Sequence, residues 1–334
     1  MMVPHFLGRG NNCFYMGTND TDTGGMLHVN NGQEALRKRY LAAVDSIVER
    51  VREDASVLAV IVNGSLAYEA IWQNSGIDMT VVVRDRLLQH RDYCILEDGI
   101  TIHIRVTARS EFKRMLERSG GETFFQTDFA RGKIVYAADE RLIPYFETVK
   151  RMGEDDIALS ALFLASELAA LLQQCRKWLY SREDYLYTQY YLLKAAEPLS
   201  HMELILRGIP FSRESIQKAQ ALNPRLLERF FLNPMSRLWS REELLEAMEA
   251  LDDYLGLAMD IWKKPVLNCL ADGEIKTLTL IGAYFHMQGP SMMDALEYLT
   301  AKGVIVKASQ PIKLTPKSSR TMEEIGYFYR GDAG

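Results

Sequence analysis

The sequence predicts an α+β protein: a small mixed sheet over residues 33–152, an α-helical bundle over 153–264, and a C-terminal module of short helices with a hairpin over 265–330. Three observations carry this. Apolar, β-branched runs at Val57–Val62 and Ile77–Val83, with strict alternation over Ile100–Val106, have the rhythm of strands. From Glu154 to about Trp262 the apolar period changes to that of helices. From Pro265 the segments become short, and a glycine, Gly303, precedes two apolar pairs.

Residues 1–32 are rich in Gly, Asn, Thr and Asp without periodicity, which predicts a loosely attached tail with Met26 as an alternative start. Leu36, Tyr40, Ala43, Val44, Ile47 and Val51 then recur at helical spacing. The two apolar runs follow, and a helix or loop is expected near 86–93. The alternating strand puts Ile100, Ile102, Ile104 and Val106 on one face and Thr101, His103 and Arg105 on the other. After Gly132, Lys133–Tyr136 reads as a short strand, and the domain is expected to end near Pro144.

Glu154-Asp155-Asp156 suits the first turn of a helix that runs to Tyr180 and breaks at Ser181 or Arg182. A second helix is expected from Glu183 to Leu206, with Gly208 and Pro210 ending it, and others at 212–220, 224–232 and 240–262. On the second, Tyr190, Lys194, Glu197 and His201 form a polar stripe. The stripe is either a solvated face or an acceptor wall, in which Lys194 meets phosphate and Glu197 takes a proton from an attacking hydroxyl. Short helices are expected at 265–271, 277–286 and 291–302, then strands at Val304–Lys307 and Ile312–Thr315 flanking a Ser-Gln-Pro turn.

With 334 residues, 48% hydrophobic and 25% charged, the chain has ample core for more than one domain. A net charge of -5 gives no global attraction to nucleic acid. Cys13, Cys94, Cys175 and Cys269 lie far apart, which suggests neither zinc nor a disulfide framework, and a reducing cytoplasm is expected. No apolar stretch reaches the length of a membrane span.

The stretch between the first two strands adds a functional signal. Gly64-Ser65 ends the first run, and Ser75-Gly76-Ile77-Asp78 opens the second. A glycine there lets backbone approach an anion, and the serine hydroxyl with the free N–H groups of a following helix points at it. The pattern resembles the nucleotidyltransferase superfamily related to DNA polymerase β and kanamycin nucleotidyltransferase, in which Gly-Ser is followed about ten residues later by Asp-x-Asp. The resemblance implies a nucleoside triphosphate on Gly64 and Ser65, magnesium with Asp78 as ligand and catalytic carboxylate, and transfer of a nucleoside monophosphate to a hydroxyl. Gly76 stands where the first aspartate belongs; a shifted reading, Asp78-Met79-Thr80, keeps the first and loses the second. Where the superfamily has its third carboxylate, this chain offers His103 or Arg105, either of which could supply a fixed positive group for phosphate, Arg105 by pairing with Asp78. Nucleotide affinity nearly independent of magnesium is then expected.

The helical part resembles the substrate-binding halves of antibiotic and tRNA-modifying nucleotidyltransferases, and the last module resembles a winged helix. Lys307, Lys313, Lys317 and Arg320 make its hairpin basic, but Asp294 and Glu297 on its third helix oppose a nucleic-acid groove, so binding there is expected to be weak and packing or homodimerisation is favoured. Two functions follow: a nucleotidyltransferase-like protein that binds a nucleoside triphosphate or another phosphorylated ligand and transfers from it, or a catalytically inactive sensor acting through its helical and winged-helix parts.

Overall fold

The computed structural model describes residues 23–63, 66, 74–85, 90–117, 132–149, 153–209, 214–285, 289–315, 317 and 319–331. Helix α1 (Thr23–Val51) leads into β1 (Val57–Asn63), β2 (Ile77–Val83), β3 (Asp92–Glu97) and β4 (Ile100–Ala108). Helix α2 (Arg109–Glu117), β5 (Lys133–Ala137) and α3 (Leu142–Val149) complete the first part. The strands form one sheet in the order β3-β4-β2-β1-β5, in which only the β2–β4 pair, among those described, is parallel.

Every residue of β1 is buried, and so are all of β2 except Asp78. Central strands covered on both faces read as continuous apolar runs, which is why the sequence shows them so plainly. On one face α1 packs Tyr40, Ala43, Val44 and Ile47 against Val60, Val62, Ile77, Met79 and Ile102. On the other, Phe112 from α2 and Leu142 and Phe146 from α3 cover Ala59, Ile61 and Val82.

Three expectations for this part are corrected. Residues 23–32 are not tail but the first turns of α1, while 1–22 lie outside the described residues; composition is a weak guide where a helix is anchored further on by packing. Of the expected helix or loop near 86–93, residues 86–89 lie outside the described residues and 92–93 open an edge strand, β3, which is joined to β4 by Asp98 and Gly99 at φ 49° and 73°. That two-residue turn matches the twist of its strands. Pro144 is not the end of the domain but lies within α3.

The second part begins with α4 (Glu154–Arg182), whose N-terminus is closed by the Asp156 carboxylate accepting from the Gly153 amide at 3.0 Å. The single second helix expected over 183–206 is two, α5 (Tyr185–Lys194) and α6 (Ala196–Ile205). Pro198 supplies the reason, since it has no N–H for the Lys194 carbonyl and its ring crowds that position. Next come α7 (Ser215–Leu222), α8 (Pro224–Leu227), a π turn at Glu228–Leu232, α9 (Asn233–Ser236) and α10 (Arg241–Trp262). The chain then forms α11 (Lys264–Cys269), β6 (Lys276–Thr277), α12 (Leu278–Tyr284), a 3-10 turn at Gly289–Met292, α13 (Met293–Ala301), β7 (Val306–Ile312) and β8 (Met322–Phe328).

The hairpin is not where the sequence places it. β7 runs straight through Ser309-Gln310-Pro311 and pairs with β8 as the edge of a small β6-β8-β7 sheet. An edge strand tolerates a proline, because not every N–H has a neighbour to serve. Nor do residues 265–330 hold a core of their own. One apolar cluster joins Leu168 and Leu172 of α4 and Leu251 and Leu255 of α10 to Leu296, Leu299, Ile305 and Tyr327. Among the described residues, no apolar cluster contains members from both sides of residues 150–152.

Candidate functional site

Strand register assembles the site. Asn63 at the end of β1 lies opposite Asp78 on β2, Asp78 opposite His103 on β4, and His103 opposite Cys94 on β3. Residues opposite one another share a face. This row therefore crosses the sheet on the face away from α1, beyond the apolar patch under α2 and α3. Gly64 and Ser65, which follow Asn63 directly, lie outside the described residues. The entry to β2 is fixed from the opposite side, where the Tyr40 hydroxyl donates to the Ser75 carbonyl at 2.7 Å.

The place of the missing aspartate is filled. A Cβ on Gly76 would meet His103 Cδ2 at 3.2 Å, His103 Nε2 at 3.3 Å and the Thr101 carbonyl oxygen at 3.4 Å. His103 thus stands over Gly76 while being the register partner of Asp78. Magnesium, which the resemblance implies, takes oxygen ligands in strict octahedral geometry. Of the three carboxylate positions of the motif, this face retains only Asp78, and among the described residues no three His, Cys, Asp or Glu side chains are placed to hold a metal ion. The residues do not fit the ion.

Arg105 does not pair with Asp78. Its Nε bonds Asp92 Oδ1 at 3.0 Å, because Asp92 on β3 is its direct cross-strand partner. Sequence reasoning missed β3, and with it the acid that claims this arginine. It also passed over Asn63 and Thr80, a buried polar pair joined by Asn63 Nδ2 donating to Thr80 Oγ1 at 3.2 Å, with Asn63 Oδ1 left without a partner among the described residues. A polar amide directly before Gly64-Ser65 in the sequence was the available signal.

The polar stripe is built by three helices. Lys194 Nζ lies 5.7 Å from the ring centroids of both Tyr190 and Tyr191. Glu167 on α4, not foreseen, joins the cluster: partial burial first, then the Glu197 carboxylate, raises its pKa, and Lys194 opposes the rise. Burial lowers the pKa of His201, against the pull of Glu197. No local pattern announces Glu167, since its partners lie on other helices. Among the described residues, no hydrogen bond, ion pair or apolar cluster connects Lys194 or Glu197 to Asp78.

At the opposite end of β1 a cavity of about 490 Å³ is lined by Leu58, Arg84, Asp85, Arg109, Asp139 and Arg141 among others. Two of its acids are engaged: Asp139 pairs with Arg141 at 2.8 Å and Arg109 at 3.3 Å, and Asp85 accepts from the Ser110 amide at 2.7 Å. In the last module, α13 exposes only Met293 and Ala301. Asp294, Glu297 and Thr300 are half-buried beside them, so the face that α13 leaves open carries two acids.

The sheet order, the parallel β2–β4 pair and the helical second part define a nucleotidyltransferase-like fold. A nucleotidyltransferase-like protein from Exiguobacterium sibiricum 255-15 superposes with a TM-score of 0.62 at 12% identity, over 86% of this chain and 99% of that one. Spectinomycin adenyltransferase AAD(9) from Enterococcus faecialis, solved with ATP and spectinomycin, matches over 65% of this chain and 99% of its own at 16% identity and a TM-score of 0.24. No family model matches the sequence, and no curated protein does either. No helix among the described residues is long and apolar enough to cross a membrane.

Proposed function

We propose that the chain binds a nucleoside triphosphate, or a similar phosphorylated ligand, at the Gly64–Ser65 end of β1. The observation that carries this is the register of Asn63, the residue before Gly64, with Asp78, the one acidic side chain of β2. A phosphate there would be met by backbone N–H groups and the Ser65 hydroxyl, while Asp78 accepts from a ligand hydroxyl. The nucleotidyltransferase-like fold supports the choice of a nucleotide.

A sensing role is the second reading, favoured by the shared core of the helical bundle and the last module. In this reading the last module, with β6, α12, α13, β7 and β8 in chain order, would serve as the signalling part. Its third helix is spent on α4, so its use is packing or self-association rather than DNA reading.

Thermal stabilisation of the full chain by ATP tests the proposal. Gly64→Val should abolish the stabilisation and leave the ligand-free melting point within a few degrees. Equal stabilisation of the variant refutes a phosphate on this turn.

A further inference from the structure

We propose that His103 takes the place of the first carboxylate of the motif, so that the site receives the phosphates of its ligand on an imidazole N–H and works without magnesium. The inference rests on the nucleotide-binding reading above.

Geometry comes first. The His103 ring lies within 3.2–3.3 Å of where a side chain at 76 would begin, and the Thr101 carbonyl oxygen is in ordinary contact distance at 3.4 Å. A side chain at 76 would require the exposed His103 ring to give by a few tenths of an ångström, so the two positions are coupled. His103 is the register partner of Asp78 on one side and of Cys94 on the other, so the three residues share one face of the sheet.

Charge follows. A site that grips a triphosphate through magnesium needs several carboxylates to hold the ion, and those carboxylates repel phosphate once the ion is gone. Here the first is Gly76, the strand of the third carries His103, and Arg105 with Asp92 makes a neutral pair at 3.0 Å. Only Asp78 remains, and a lone carboxylate suits a hydroxyl donor on the ligand. Imidazole is a poor partner for magnesium and a good donor to phosphate oxygen. The ligand class that fits is a phosphate ester that also carries hydroxyl groups, as a nucleotide does.

The test is calorimetric titration of the full chain with ATP, with magnesium and with EDTA. The two affinities should agree within about threefold, and His103→Ala should weaken both by about tenfold, the worth of one hydrogen bond to a charged group. A tenfold or greater loss in EDTA, removed by Asp78→Asn, overturns the inference. A second arm uses manganese alone and needs no nucleotide: the native chain should give no saturable binding, and Gly76→Asp combined with His103→Ala should create it. Manganese binding by the native chain, abolished in Asp78→Asn, overturns the replacement. Absence of heat with ATP in either buffer sinks the nucleotide reading instead, and the manganese arm still decides the role of His103.

Discussion

Ser166 on α4 accepts the Ala295 amide hydrogen at 3.4 Å and donates to the Ser291 carbonyl at 2.9 Å, tying α13 to the long helix at its first turn. Tyr298 adds a hydrogen bond from its hydroxyl to the Asp252 carbonyl at 2.9 Å, so α13 is held from α4 and α10 together. The last module therefore should not unfold by itself. Differential scanning calorimetry is expected to give two transitions, one for the sheet part and one for everything from Glu154 onward, because each has its own core. A third transition assignable to residues 265–330 would contradict the shared core. Ser166→Ala should lower only the second transition.

Gly76→Ala tests the close approach of His103 without any ligand. The added methyl would press on the ring at 3.2 Å and on a backbone oxygen at 3.4 Å. The exposed ring must give by a few tenths of an ångström, so a modest loss of stability is expected. In a His103→Ala background the same change should cost much less, and urea denaturation of the four proteins in the cycle measures the difference.

Tyr254 protects a buried acid. Glu203 is 4% exposed, and it is satisfied by the Tyr254 hydroxyl at 2.9 Å and by Arg207 at 2.6 Å. Burial and this carboxylate raise the tyrosine pKa. Tyr254→Phe removes one donor from a carboxylate that water does not reach, for a loss of about 1–3 kcal/mol. Chemical denaturation at neutral pH reads it.

The His201 environment sets a pH dependence. Its folded-state pKa lies below the ordinary 6.5, with burial as the main cause and Glu197 opposing. As pH falls below 6.5, the unfolded chain takes up the proton first, so stability is full above that value and declines toward the folded-state pKa. Denaturation midpoints at pH 7.5 and 5.5 should therefore differ more in the native chain than in His201→Gln. An equal slope in both would remove His201 as the cause.

How far the fold was legible follows from burial. β1, β2 and the inner face of β4 are buried, and burial writes itself as apolar runs and alternation. β3 is an edge strand whose residues are mostly exposed, so hydropathy says nothing of it, and Asp98-Gly99 was its one legible mark. The error propagated: without β3, Asp92 could not be set against Arg105, which left pairing with Asp78 as one reading of the arginine. Pro311 misled in the opposite sense, since a proline read as a turn lies inside an edge strand. In the site, Asp78 and His103 were readable as residues on the right faces. Contact between His103 and Gly76 was not, because a ring's direction depends on neighbours that register alone does not fix.

The division of the apolar clusters at residues 150–152 has a consequence for how the chain can be taken apart. A cut between Val149 and Gly153 separates no pair of clustered core residues among those described, so the two pieces, made as separate polypeptides, should each reach their native form, and either could be transplanted onto a different companion without redesign of its interior.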